Sequence, residues 1–209
     1  MKRLFVILAV AVVALAAVSC GSKKKGDAKE ASTPFVTPTG IGKIEIGERI
    51  DDVPASLNGL YDSIEAVEET EYAEGGDEWT AEVFYAKKDG QRVFKIIPDE
   101  GKIWHIEVIS PKLKTESGLG IDSTVEELFA AGGKAYCGIE WWEYYDGILC
   151  EDLIFTGFDL SPKGEAKIAD LDDGDFIKLE LSDLKEGSKP HKLSIPDDLW
   201  RNTIKEMLQ

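Results

Sequence analysis

The chain has 209 residues, 43% of them hydrophobic and 31% charged, with a net charge of −16 that deepens to −20 from position 41 onward, where 18 basic residues face 38 acidic ones. That is material for a leader and about one ordinary domain with a real core. The acidic field repels phosphate backbones, which excludes nucleic acid as a partner and favours neutral or cationic ones.

The first nineteen residues read as a secretory leader. Lys2 and Arg3 form a basic start, Leu4 to Val18 is an uninterrupted apolar run of fifteen residues, and Ala17-Val18-Ser19 is a small-residue approach to Cys20. The run falls short of the about 20 residues a bilayer core requires. Small residues ending on a cysteine resemble the bacterial lipobox, with Ala17 where leucine is usual. In that motif a diacylglycerol, and with it palmitate, is attached to the cysteine, which becomes the new N-terminus. An ordinary secretory signal cut at the same place is the other reading.

Residues 20–40 read as a lipidated flexible tether, small and polar with two prolines. As a coil, twenty residues span about 25 Å. Lys23, Lys24 and Lys25 either attract an anionic leaflet or merely solubilise.

Residues 41–209 form the expected single domain, in two degenerate repeat halves, about 43–110 and 115–184, each a short helix followed by a meander. The first half opens on a strand at Lys43 to Gly47 and a helix at Val53 to Leu60, with Asp51 as cap. Strands follow at Trp79 to Ala86, Arg92 to Ile97 and Lys102 to Ile109. In the second half Ser123-Thr124-Val125-Glu126 reads as a capping box before a helix that Gly132-Gly133 stops. Its strands are Leu153 to Leu160, Ala166 to Asp170 and Asp175 to Leu181. A C-terminal helix over about 194–209 places Leu199, Trp200, Ile204 and Leu208 for burial. The resulting class is α+β, an antiparallel sheet with short helices on one face.

Ile103 to Val108, running through Thr115, Gly118 and Gly120 to Ser123-Thr124 and Glu127-Leu128, then to Cys137 and Cys150, resembles a family of sigma-E-regulated outer-membrane lipoproteins. The likeness covers about half of the chain, includes a lipid-bearing cysteine at the front, and has no counterpart from about Ser161. It implies an envelope location and a fold. The family is uncharacterised in function, so no activity follows.

Chemistry is sparse. Cys137 and Cys150 are expected to form a disulfide worth about 3 kcal/mol, since they lack the Cys-x-x-Cys spacing or third ligand of a redox or metal site. Between them stand Trp141, Trp142, Tyr144 and Tyr145, which either pack beneath the sheet or present flat apolar faces to a ligand. Asp170 to Asp175 lacks the later glutamate of a calcium loop, and Asp173-Gly174 is a turn signal. His105 alternates with Trp104 and Ile106 and is expected to face away from them. No nucleophile elbow, paired-histidine zinc motif or phosphate loop occurs, so no catalytic residue, metal or cofactor is assigned. The expectation is a non-catalytic envelope lipoprotein anchored through Cys20, in the outer membrane because Gly21 stands in place of the aspartate of inner-membrane retention, and on its periplasmic face because lysines rather than acids follow the anchor. It would bind or stabilise another envelope component, a protein or a glycan. The alternative is a glycan-binding module using the aromatic segment, and a hydrolase with an unrecognised carboxylate pair is the weakest reading.

Overall fold

Alternating apolar and polar residues make most of this chain extended, and the strands find one another through two-residue turns. The structure is a computed structural model that describes residues 35–72, 78–140 and 143–209. The expected leader, Cys20, most of the tether, Trp141 and Trp142 lie outside the described residues.

The described chain starts with three two-residue strands, β1 (Val36–Thr37), β2 (Gly40–Ile41) and β3 (Ile44–Glu45), paired in order. A 3-10 turn at Ile50–Asp52 comes next, and the helix expected at Val53 to Leu60 does not form: those residues are bends and turns. Then come β4 (Ser63–Tyr72), β5 (Glu78–Lys88), β6 (Gln91–Asp99), β7 (Lys102–Val108), α1 (Val125–Ala130), β8 (Lys134–Glu140), β9 (Glu143–Cys150) and β10 (Leu153–Thr156). The chain finishes with α2 (Pro162–Ile168), β11 (Phe176–Leu179), β12 (Lys192–Ile195) and α3 (Asp198–Met207).

Nine strands form one antiparallel sheet in the order β11-β8-β9-β10-β12-β7-β6-β5-β4. Asp89-Gly90 and Glu100-Gly101 close the β5–β6 and β6–β7 hairpins with positive φ at both positions, the twist-compatible turn that aspartate and glycine tolerate. Register places one residue from each strand in a single row: Ile64, Ala86, Phe94, Val108, Leu193, Phe155, Ile148, Ala135 and Leu179. All of them belong to or pack on the main core. A one-residue slip anywhere would turn that strand's share of the row to the opposite face, so the row fixes the register.

The fold is α+β, an open antiparallel sheet with few helices. Val125 and Leu128 of α1 and Ile168 of α2 join the main core on the face of the row. α3 lies on the opposite face, where Ile204 and Leu208 pack on Tyr136, Leu149 and Ile154. The face of the row is the inner face of the sheet, and the face under α3 is the outer one. The strand expected at Ala166 to Asp170 is instead the end of α2, because Ser161 accepts from the Gly164 amide as N-cap and Pro162 begins the first turn. The capping box of α1 is built on Thr124 and Glu127, one residue later than read from the sequence. Among the described residues no helix is long and apolar enough to cross a membrane.

Candidate functional site

Sequence chemistry directs attention first to the β8–β9 hairpin. Cys137 lies opposite Asp146, and Lys134 opposite Leu149, so the two cysteines stand on the same face but about four residues apart along the ribbon. At about 3.4 Å per residue that is roughly 13 Å, far beyond the about 7 Å between Cα atoms that a disulfide bridges. The expected Cys137–Cys150 bridge is therefore absent, and both are free, buried thiols. Each has another role. The Cys150 thiol faces the Leu128 carbonyl at 3.6 Å, which at the end of α1 also accepts the Gly133 amide at 2.9 Å, and burial lifts the thiol pKa to about 11. Burial also raises the pKa of Cys137 despite its hydrogen bond with Tyr144. Neither is poised as a thiolate.

The aromatic segment does not form one platform. Tyr144, opposite Ile139, and Tyr145, opposite Gly138, point to opposite faces of the ribbon. Tyr144 is 45% exposed. Tyr145 lies over Gly138, where an added Cβ would come within 2.5 Å of its ring, and Tyr136 covers Gly147 in the same way. Those glycines give the rings a seat, and an outer-face ladder results: Phe176 stacks on Tyr136 at 5.6 Å, Tyr136 meets Tyr145 at 6.4 Å, and Tyr145 meets Trp200 of α3 at 6.2 Å.

The ladder ends at a cavity of about 590 Å³, lined by Trp104, His105, Pro196, Asp197, Leu199, Trp200 and Thr203. A bulge makes this site. Ile97 pairs with His105 but Pro98 with Ile103, so Trp104 is an extra residue in β7. Ile103 and Ile106 keep to the core while both Trp104 and His105 turn outward, which corrects the expected alternation of these two side chains. Burial holds His105 below its ordinary pKa, only partly offset by Glu107.

Asp197 joins the two walls. One carboxylate oxygen accepts the Trp200 amide at 2.7 Å and caps α3; the other accepts the Trp104 indole N–H. Arg201, almost fully buried, ties down the helix start, donating to Asp198 at 2.6 Å and to the Pro196 carbonyl at 2.8 Å. The same guanidinium nitrogen also donates to the Pro38 carbonyl, which pins the beginning of the described chain beside the cavity rim. The Thr203 hydroxyl is spent on the Leu199 carbonyl at 3.0 Å. What remains open is apolar: Leu199 is 78% exposed, Trp104 46% and Trp200 36%. Leu199 and Trp200 were expected to be buried, and only Ile204 and Leu208 of that set are. Such an open apolar surface is suited to contact with flat apolar groups. Among the described residues no three His, Cys, Asp or Glu converge as a metal site.

No family model matches the chain. No curated protein matches it. Among solved structures, it is similar to the crystal structure of the uncharacterized protein yfeY from Escherichia coli, with 15% identity and a TM-score of 0.42 over 78% of this chain and 99% of that one.

Proposed function

We infer that this chain is a non-catalytic protein of the bacterial cell envelope, anchored to a membrane through Cys20, whose Trp104 and α3 surface holds another envelope component. The observation that carries the binding half is the open apolar cavity at the bulge, where Leu199 stands 78% exposed on a helix whose start is held by two buried or capped side chains. A surface that leaves a leucine and two tryptophans in water, while Asp197 and Arg201 fix their placement by hydrogen bonds, is shaped for contact. The leader ending on Cys20 supports the anchorage, and Gly21 supports the outer membrane.

The test has two readouts. Intact mass of the mature protein should show acyl chains on Cys20, and Cys20→Ala should release the chain from membranes. A photo-reactive residue at position 199 should give an adduct of one recurring mass in living cells, where the same residue at Glu186 does not. An unacylated mature chain sinks the anchorage; equal labelling at both positions sinks the binding surface. A neutral glycan is the second candidate ligand, favoured by the exposed Tyr144, which follows Trp141 and Trp142 closely in sequence. Its mark would be binding of neutral oligosaccharides that salt leaves unchanged.

A further inference from the structure

We propose that the component held at this surface is the membrane lipid itself: Trp104, Leu199 and Trp200 seat the folded region on a neutral phospholipid surface beside the root of its own tether. The proposal deepens the reading above and rests on its anchorage through Cys20.

Three observations converge. The first is place. Pro38 and Pro196 carbonyls share one nitrogen of the buried Arg201, so Pro38 lies one guanidinium away from the cavity wall, and Phe35 to Pro38 line the neighbouring pocket with Glu151 and Leu153. Phe35, three residues earlier and at the first described position, is itself about half exposed. The second is reach. From Cys20 to Phe35 is fifteen residues, which even fully extended span no more than about 50 Å. An anchored chain therefore meets the lipid at an effective concentration of the order of millimolar, and its entry side meets it first. A contact too small to hold a free protein on a membrane suffices as the second of two signals.

The third is chemistry. Tryptophan and leucine at the tip of a short helix are the side chains that settle at the boundary between headgroups and acyl chains. The indole N–H of Trp104 is already bonded to Asp197, so the ring enters that layer with its polar edge satisfied. Nearby charge selects the headgroup. Asp197 and Asp198 directly precede Leu199, and Arg201 is committed to Asp198 and two carbonyls. With −20 on the residues from position 41 onward, an anionic surface is repelled and a zwitterionic one is not.

The experiment uses the chain from Cys20 onward, which holds every described residue, coupled at Cys20 to a maleimide phospholipid; Cys137 and Cys150 are buried and do not compete. On phosphatidylcholine vesicles, a diazirine-bearing residue at position 199 should yield a phosphatidylcholine adduct at least tenfold above the yield at Glu186, which lies beside α1. Trp104→Ser should lower the yield severalfold, and replacing a third of the lipid by phosphatidylglycerol should do the same at low salt and less so in 0.5 M salt, a concentration of the order at which screening shortens to a few ångströms. Yields equal at 199 and 186 overturn the proposal, as does an adduct to a second copy of the chain in place of lipid. Because the lipid is supplied chemically, an unacylated native Cys20 would remove the anchorage reading while leaving this result to stand or fall separately.

Discussion

Asp197 carries two obligations with one carboxylate, and its removal should expose both. It caps α3 through the Trp200 amide and holds the Trp104 indole across the cavity. Asp197→Ala is expected to cost about 1–2 kcal/mol in urea unfolding, the usual worth of a helix N-cap, and to free the Trp104 ring. Asp197→Asn keeps an oxygen for the amide and should recover most of that loss. Equal losses in both variants would mean that the charge, not the cap, matters. Asp183 poses a different residue-scale problem. Its side chain is fully buried, and burial alone would raise its pKa. The Lys163 ammonium at 2.8 Å, Lys167 and the Glu180 amide at 2.9 Å outweigh that and hold it at about 2. A carboxyl held below its unfolded value, about 3.9, stabilises the fold above that pH and loses the contribution as pH falls toward 2. Acid titration of Asp183→Asn should therefore show a shallower loss of stability between pH 4 and 2 than the parent, from a lower starting value at pH 7. Parallel curves would refute the assignment.

At the scale of elements, α3 divides its apolar residues between two tasks that a helical period alone does not separate. Ile204 and Leu208 pack on the outer face of the sheet, whereas Leu199 and Trp200 belong to the same apolar set and stand at the open rim. Which residues the sheet covers depends on where it ends, and that is a tertiary fact. Ile204→Ala is expected to cost about 2–4 kcal/mol in chemical denaturation, while Leu199→Ser should change stability by no more than about 0.5 kcal/mol. A steep loss at Leu199 would make it core and dissolve the site. The meander β5–β7 was legible because alternation and the Asp89-Gly90 turn are local signals. The bulge at Trp104 was not, since an extra residue exists only relative to the register of β6. Pro162 and Gly164 read equally as turn and as helix start; Ser161 before them was the signal that could have decided it. Cys137 and Cys150 misled because composition and compartment predict pairing, but only register supplies distance.

For the molecule as a whole, the open sheet leaves β4 as an edge ten residues long, the feature most exposed to pairing with another chain. Between Ile50 and Ala86 the sequence has eleven acidic residues and no lysine or arginine, so this edge is guarded by one sign of charge. The row that begins at Ile64 and Ala86 on the inner face continues outward, past the last paired residue of β6, to Glu68 opposite Glu82 and Thr70 opposite Thr80. Two like charges directly across a strand pair cost the ribbon a few tenths of a kcal/mol to 1 kcal/mol. Their placement makes sense as protection: a strand added to β4 would bring its own charges or apolar groups against Glu68. Replacing both by threonine should therefore do two opposed things. The β4–β5 ribbon should gain stability, seen as slower amide exchange in the segment from Ala66 to Val83, because repulsion is replaced by a favourable cross-strand pair. The folded chain should also begin to associate as concentration rises, seen by light scattering, where the parent stays monomeric. If the variant gains protection and remains monomeric over the same range, the glutamates are not guards, and the acidic edge must serve contact with a cationic partner instead.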